Sequence, residues 1–413
     1  MLTGIHLSHF GVLFDTGFGI SAEDLYQPGA LDISADSLTC AIRPITGLIG
    51  RNSTGKSALF DALAYISDCM LHGVQYASTQ KGRGGFAHLL THGYHDSMSF
   101  DLLLWNDKLK CHLRYELELS CDNHHRPFVR SERVTRIAPS DDNGEPEALI
   151  MLELLNGRGI ILEAGQQKQI EVADQKFPAL SVFGSITAYP ELRFMFSQIS
   201  RWYFCSPQKN PQPADVAESG GHRHLNESCS NIGNVLDYYR QEHAHAYRNM
   251  IRKISKHIPD GKQIDDAFIN GEITSGILRL FTFLLLLEDP SPRPLICLEE
   301  PDSGLYHDMV DILSFEMRDY TMRNPGCQIL FTTHNPYVLE SLRPDEVWVF
   351  ERHPSGRESS TGQTTASARC IGLDPLIDAM YRQGVGMGAM WYGGHFDRDG
   401  KGPYDNEETT EKE

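Results

Sequence analysis

The sequence lacks several features, and each absence narrows its chemistry. No apolar run approaches the roughly 20 residues that a membrane span needs. The longest candidate, 277–287, is interrupted by Arg279 and reads as a buried helix. The opening Met-Leu-Thr-Gly-Ile-His-Leu has no basic segment before an apolar one, so no secretory signal is expected there. Nine cysteines are scattered without a single Cys-x-x-Cys pair. That spacing argues against a disulfide framework or a zinc site and fits reduced thiols in a cytoplasmic protein. There is no internal repeat and no heptad run of coiled-coil length. Positive charge is in deficit, with 37 Lys and Arg against 55 Asp and Glu, a formal net charge of −18. A broad basic surface that wraps nucleic acid is therefore not expected, although a local basic groove is still allowed.

The most informative segment is Gly50 to Ser57, Gly-Arg-Asn-Ser-Thr-Gly-Lys-Ser, a complete phosphate-binding loop. The apolar run Ile45-Thr46-Gly47-Leu48-Ile49 before it reads as a short buried strand. Apolar residues at helical spacing follow it from Ser57. Strand, glycine loop and helix form the context this motif requires. Gly50 and Gly55 let the backbone curl so that successive N–H groups, including those of Asn52, Ser53 and Thr54, converge on phosphate oxygens. The helix start adds its positive dipole end. Lys56 is placed to reach the β- and γ-phosphates, and the Ser57 hydroxyl to bind Mg²⁺. ATP and Mg²⁺ are the ligands this implies.

The chain's 413 residues suggest two or three lobes. Residues 1–50 read as strands and loops, and 57–71 as the helix after the phosphate loop. From 98 to about 172, short runs alternate polar with apolar between turn residues, the pattern of an antiparallel meander with one wet face. Residues 176–258 are helical, broken by a polar loop near 206–224. Residues 272–352 alternate helix and strand, an α/β texture.

A phosphate loop needs partners to hold Mg²⁺ and orient water. Leu295-Ile296-Cys297-Leu298-Glu299-Glu300 provides a buried strand ending in two carboxylates. Adjacent strand residues point to opposite sides. Glu299 is accordingly assigned to Mg²⁺ and Glu300 to the attacking water. A second buried strand, 328–332, runs into Thr333 and His334, which places a polar sensor near the γ-phosphate. Upstream, Thr274-Ser275-Gly276 opens a long apolar helix, another anion-binding element.

In this order the motifs resemble the ABC-type ATPases, most closely the RecF/SMC-like and OLD-like branch. The resemblance rests on 45–71, 272–351 and the N-terminal strand from Ile5 to Phe10. Met390-Trp391-Tyr392-Gly393-Gly394 is similar to a C-terminal element of predicted RecF-like ATPases. The resemblance implies an α/β fold: an ABC-type P-loop ATPase head with an antiparallel β lobe and a helical insertion. Its implied divisions are 1–97, the first part of the head; 98–175, the β lobe; 176–260, the helical insertion; 261–395, the rest of the head; and 396–413, a disordered acidic tail.

By the same resemblance Glu300 is the catalytic base, His334 the switch histidine, and Thr274, Ser275 and Gly276 the signature that meets the γ-phosphate held by a partner subunit. The implied assembly is an ATP-dependent homodimer or higher oligomer working with a separate effector, in DNA maintenance or anti-phage defence. DNA is retained as a candidate ligand and no membrane is involved. A regulatory or scaffold ATPase that gates a protein complex is the alternative. A transporter ATPase is disfavoured by the long insertion and by the missing Leu-Ser-Gly-Gly-Gln signature.

This sequence departs from the family pattern at Thr274, Ser275, Tyr306-His307 and Asn335, none of which removes a catalytic group. Gln75 and Gln80 are candidates for the Mg²⁺-contacting glutamine. Arg126, Arg130, Arg133 and Arg136, and separately Arg248, Arg252, Lys253 and Lys256, form basic runs that read as solvated faces, with DNA contact as the competing reading. His88, His92 and His95, the pair His222 and His224, and the pair His243 and His245 read as structural, since no carboxylate or cysteine completes a metal set.

Overall fold

The computed structural model describes residues 1–26, 40–94, 96–138, 146–205, 223–254, 275–354 and 364–396. Thr274, His95, His222, Lys256 and the acidic tail from 397 lie outside the described residues. The chain divides into two compact units, Met1–Trp202 with Pro344–Ala379, and Tyr203–Arg343 with Met380–Glu413.

The first unit is built on an eight-stranded antiparallel sheet in the order β2-β1-β4-β5-β6-β7-β8-β9. Its strands are β1 (Leu2–Phe10), β2 (Leu13–Gly19), β4 (Ser97–Asn106), β5 (Cys111–Cys121), β6 (Pro127–Ala138), β7 (Glu147–Leu155), β8 (Arg158–Glu163) and β9 (Gln166–Glu171). β5 shows why it forms. Leu113, Tyr115, Leu117 and Leu119 are buried, while Arg114, Glu116 and Glu118 between them face partly outward. That two-residue period is the expected one-wet-face meander. The sheet also takes in β1, which pairs antiparallel with β4, so the meander continues into the N-terminal strands.

The same unit holds β3 (Ile45–Ile49), β13 (Val347–Pro354) and β14 (Thr364–Cys370). β3 runs parallel to β13, and β13 antiparallel to β14. Its helices include α1 (Lys56–His72), α2 (Val74–Thr79), α3 (Phe86–Leu89), α4 (Ala179–Phe183) and α5 (Pro190–Ile199). On α1 the residues Leu59, Leu63, Ile66 and Met70 form a buried stripe at helical spacing. Arg83 fixes the following segment to it. Its buried guanidinium lies 2.8 Å from Asp61 and 2.7 Å from Asp68, both on α1.

In the second unit, β10 (Tyr203–Cys205), β11 (Leu295–Leu298) and β12 (Gln328–Thr332) pair in parallel. All of β11 and β12 is buried, as continuous apolar runs in parallel sheets are. Its helices include α6 (Ile232–Glu242), α7 (Ala244–Ile254), α8 (Ser275–Leu287), α9 (His307–Arg323) and α10 (Pro336–Leu339). α11 (Pro375–Arg382) follows β14 in the chain, and α12 (Met387–Tyr392) belongs to this unit. α8 is the core helix. Leu280, Phe281, Phe283 and Leu284 are each at most 2 % exposed, and each contributes about 1.5–3 kcal/mol by burial. Among the described residues, no helix is long and apolar enough to cross a membrane, and all nine cysteines are free.

Candidate nucleotide site

The phosphate loop follows directly from the end of β3. Gly50 has φ 137° and Gly55 has φ 109°, both in the region that side chains avoid. At Gly50 space is also closed, because a Cβ would sit 2.3 Å from the Phe350 carbonyl oxygen. Ser53 adopts φ 63°, and the Thr54 hydroxyl donates to the Arg51 carbonyl at 2.9 Å. Lys56, almost fully buried, donates from Nζ to the carbonyls of Gly50 at 2.6 Å and Arg51 at 2.9 Å. The loop thus closes around its own lysine. α1 opens there with no side-chain cap, and Ser57 is exposed in its first turn. Uncapped first-turn amides beside a lysine suit a phosphate.

In the second unit, β11 stops at Leu298, so Glu299 and Glu300 lie just past it. The expected divergence of the two carboxylates by strand alternation does not apply. What separates them is a turn: Glu300 has φ 42°, a left-handed conformation that a glutamate rarely adopts. Its backbone is tied on both sides. The Glu300 amide donates to the Thr332 hydroxyl at 3.0 Å, and its carbonyl accepts from Arg279 at 2.8 Å and from the Ser303 amide at 3.0 Å. The Glu299 amide donates to the Cys205 carbonyl at 3.3 Å. The Glu300 side chain remains half exposed, with Oε1 3.9 Å from His334 Nε2.

Around this pair, Gly276 packs its backbone on the turn after Glu300. A Cβ there would lie 2.6 Å from the Gly304 carbonyl oxygen. Ser275 opens α8. Asp302 is buried, and desolvation raises its carboxyl above the usual range, opposed by a hydrogen bond with Thr333. The second unit therefore brings together Glu299, Glu300, His334 and Gly276, while Gly50 to Ser57 is assembled within the first. A serine hydroxyl and a carboxylate are hard oxygen donors of the kind Mg²⁺ takes, so Ser57 and Glu299 fit that ion by chemistry.

Arg279 and Thr332 have no role that the sequence pattern alone suggests, whereas Asp302 falls in the loop 302–304 that the family resemblance implies at a dimer interface. The one available signal was Arg279, the sole charge in an apolar helix. The first basic run is neutralised from the turn after β5, from neighbouring strands and from α5. Arg126 pairs with Asp122, Arg130 with Glu118, Arg133 with Glu153 and Arg136 with Glu191. In the second run, Lys253 pairs with Glu316 at 2.5 Å. Gln75 lies on α2, and Gln80 caps its end. His88 and His92 are exposed, and the described residues contain no group of three or more metal-binding side chains.

The phosphate loop and the mixed α/β fold, with its antiparallel sheet and helices, define a P-loop domain of the ATPase type. The family described as "AAA domain, putative AbiEii toxin, Type IV TA system" matches residues 45–141 and 180–340, more than half of the chain, and the chain belongs to that family. No curated protein matches it. Among the solved structures similar to it at low identity are SMC head domains. An Smc head bound to the C-terminal winged-helix domain of ScpA has 11% identity and a TM-score of 0.46, covering 90% of this chain and 98% of that one. The SMC head domain from Thermotoga maritima has 12% identity and a TM-score of 0.40, covering 88% and 97%. A Pyrococcus furiosus Smc head with an extended coiled coil, bound to the C-terminal domain of ScpA, has 10% identity and a TM-score of 0.40, covering 93% and 98%.

Proposed function

We propose that this chain binds ATP, pairs with a second copy while ATP is bound, and hydrolyses ATP to release the pair. The observation that supports the hydrolytic step is Glu300, a carboxylate after a buried strand, in a left-handed conformation and 3.9 Å from His334. Strain of this kind persists where surrounding structure over-determines it, and it concentrates at functional sites. In this reading, Lys56 and the amides of Gly50, Asn52, Ser53, Thr54 and Gly55 take the phosphates. Glu300 accepts the proton of the attacking water, and His334 contacts the γ-phosphate. Thr274, Ser275 and Gly276 of the second copy close over that phosphate. Ser57 and Glu299 would hold Mg²⁺, which when bound neutralises charge on the phosphates.

The branch is the RecF-like and OLD-like one, and the role is a sensor or regulator in DNA maintenance or anti-phage defence that acts with a separate effector. A second reading, an ATPase gating a protein complex without DNA, is favoured by one observation: the arginines of the first basic run are matched by carboxylates. ATP-dependent, salt-sensitive DNA binding separates the two. Its presence supports the first reading, and a stable protein partner without DNA affinity supports the second. For the common core, Lys56→Ala abolishes binding in a titration with a fluorescent ATP analogue. Glu300→Gln traps an ATP-bound dimer, seen by sedimentation velocity. A monomer with undiminished turnover would overturn the assignment.

A further inference from the structure

We infer that Glu340 and the glycines of the Gly386–Ala389 segment are positioning residues for His334, which makes the C-terminal helix α12 part of the hydrolytic machinery. The inference rests on the ATPase reading above. Its starting point is space. Gly386 has φ −70°, open to any residue, so its backbone does not call for glycine. Its surroundings do, because a Cβ would lie 1.9 Å from Glu340 Oε2. At Gly388 a Cβ would lie 2.2 Å from the Pro336 carbonyl oxygen and 2.9 Å from Glu340 Oε1. The Ala389 amide donates to Glu340 Oε1 at 3.2 Å. α12 is anchored from below by Met387 and Met390, both fully buried. The two absent side chains thus let α12 lie backbone to backbone on α10, with the Glu340 carboxylate seated over the joint.

That joint is two residues from the histidine. The Asn335 amide donates to the Thr333 hydroxyl at 3.0 Å, and the Asn335 side chain accepts from the Tyr337 amide at 3.0 Å, capping α10. Thr333 is fully buried. His334 therefore stands between one fixed residue and a four-residue helix, and a helix that short has little stability of its own. Its packing against α12 decides where it sits. The clashes differ in kind, which gives the test its resolution. A methyl at Gly386 meets the end of a flexible side chain, which can swing aside. A methyl at Gly388 meets a backbone carbonyl, which cannot.

The test uses the full chain and four variants, Gly386→Ala, Gly388→Ala, Glu340→Ala and Glu340→Gln, with steady-state ATPase assays, fluorescent-ATP titration and amide hydrogen exchange. Gly388→Ala lowers kcat by about 10- to 100-fold, the effect of a displacement near 1 Å, while nucleotide affinity stays near that of the unmutated chain. Gly386→Ala and Glu340→Ala lose less, and Glu340→Gln, which keeps the acceptor for the Ala389 amide, restores turnover. Exchange of the amides of Asn335 and of Tyr337 to Leu339 speeds up in Glu340→Ala, a readout independent of ATPase activity that remains available if Gly388→Ala does not fold. Combined with His334→Ala, Gly388→Ala causes little further loss, because both act through the same side chain. Unchanged exchange at 335–339, or losses that add in full with His334→Ala, would overturn the inference. Absence of turnover in the unmutated chain would instead refute the ATPase reading itself.

Discussion

Glu132 is, with Glu346, among the most deeply buried carboxylates of the described residues, and it makes the stability of the first unit depend on pH. It lies on β6 with 1 % exposure and accepts three hydrogen bonds: from the Ala179 amide at 2.6 Å, the Leu180 amide at 2.8 Å and the Tyr115 hydroxyl at 3.0 Å. The two amides belong to the start of α4, so this one side chain ties the helix to the sheet. All three donors favour the charged form. Burial opposes them and prevails, and the carboxyl is pushed up from 4.5 to about 7. The folded chain thus holds a proton between pH 4.5 and about 7 that the unfolded chain releases. Stability from this group is complete below 4.5, falls as pH rises to about 7, and levels off above it. At about 1.4 kcal/mol per pH unit the loss is about 3 kcal/mol.

His112, fully buried and pushed down to about 4 by desolvation, acts in the opposite direction below pH 6.5, so the unmutated chain alone does not isolate Glu132. The difference from Glu132→Gln does, since the amide keeps an acceptor for α4 and carries no charge at any pH. Urea denaturation at pH 5, 6, 7 and 8 is the assay. The variant gains on the unmutated chain as pH rises, by about 2.5 kcal/mol between pH 5 and pH 8. Parallel profiles would refute the claim that burial outweighs the three donors.

Three further outcomes follow from the same contacts. Glu300→Gly raises the unfolding free energy by about 1 kcal/mol, because glycine adopts the left-handed conformation freely, while turnover disappears; a lower melting temperature would remove the strain argument. Gly50→Ala, forced against Phe350 at φ 137°, costs about 1–3 kcal/mol and abolishes nucleotide binding, measured by melting and by fluorescent-ATP titration. Replacing Arg130 and Arg133 with alanine costs no more than about 1 kcal/mol, since both pairs are partly exposed. Any DNA affinity in a salt titration is unchanged, and a lost salt slope would restore the DNA-contact reading.

The phosphate loop was legible because each of its residues answers to a local need. Glycines supply left-handed turns, the lysine supplies charge, and the flanking strand and helix show their own periodicities. The meander was legible for the same reason, down to β8. β9 was not, because Gln166 to Glu171 is an exposed edge with no buried alternation to read. The arginine run stayed ambiguous because its partners are set by strand register. Arg133 lies opposite Glu116 on β5 and Glu153 on β7, a fact of pairing that composition does not carry. The left-handed turn at Glu300 was invisible for a different reason. The chemistry requires a carboxylate where the backbone alone would prefer glycine, so the residue type reports the chemistry and conceals the geometry.

That conflict at Glu300 has to be resolved by its neighbours, and Arg279 is the one that reaches furthest. The strain costs about 1 kcal/mol, and each hydrogen bond to the Glu300 backbone returns about as much. Three such bonds hold the turn with a margin of about 2 kcal/mol, and losing one cuts that margin to about half. Arg279 stands three residues after Gly276, so both lie on the same face of α8, one turn apart. Gly276 presses on Gly304, and Arg279 donates to the Glu300 carbonyl. The first turn of α8 therefore grips the segment 300–304 at both ends. Arg279→Ala releases one end and frees the Glu300 carboxylate to wander. The expected result is a kcat about tenfold lower or worse, with nucleotide affinity unchanged because no phosphate contact is lost. Arg279→Lys restores only part of it, since a single ammonium on a flexible stem does not hold the guanidinium's fixed geometry. Full activity in Arg279→Ala, with the unmutated chain active beside it, would show that the turn stands without this contact.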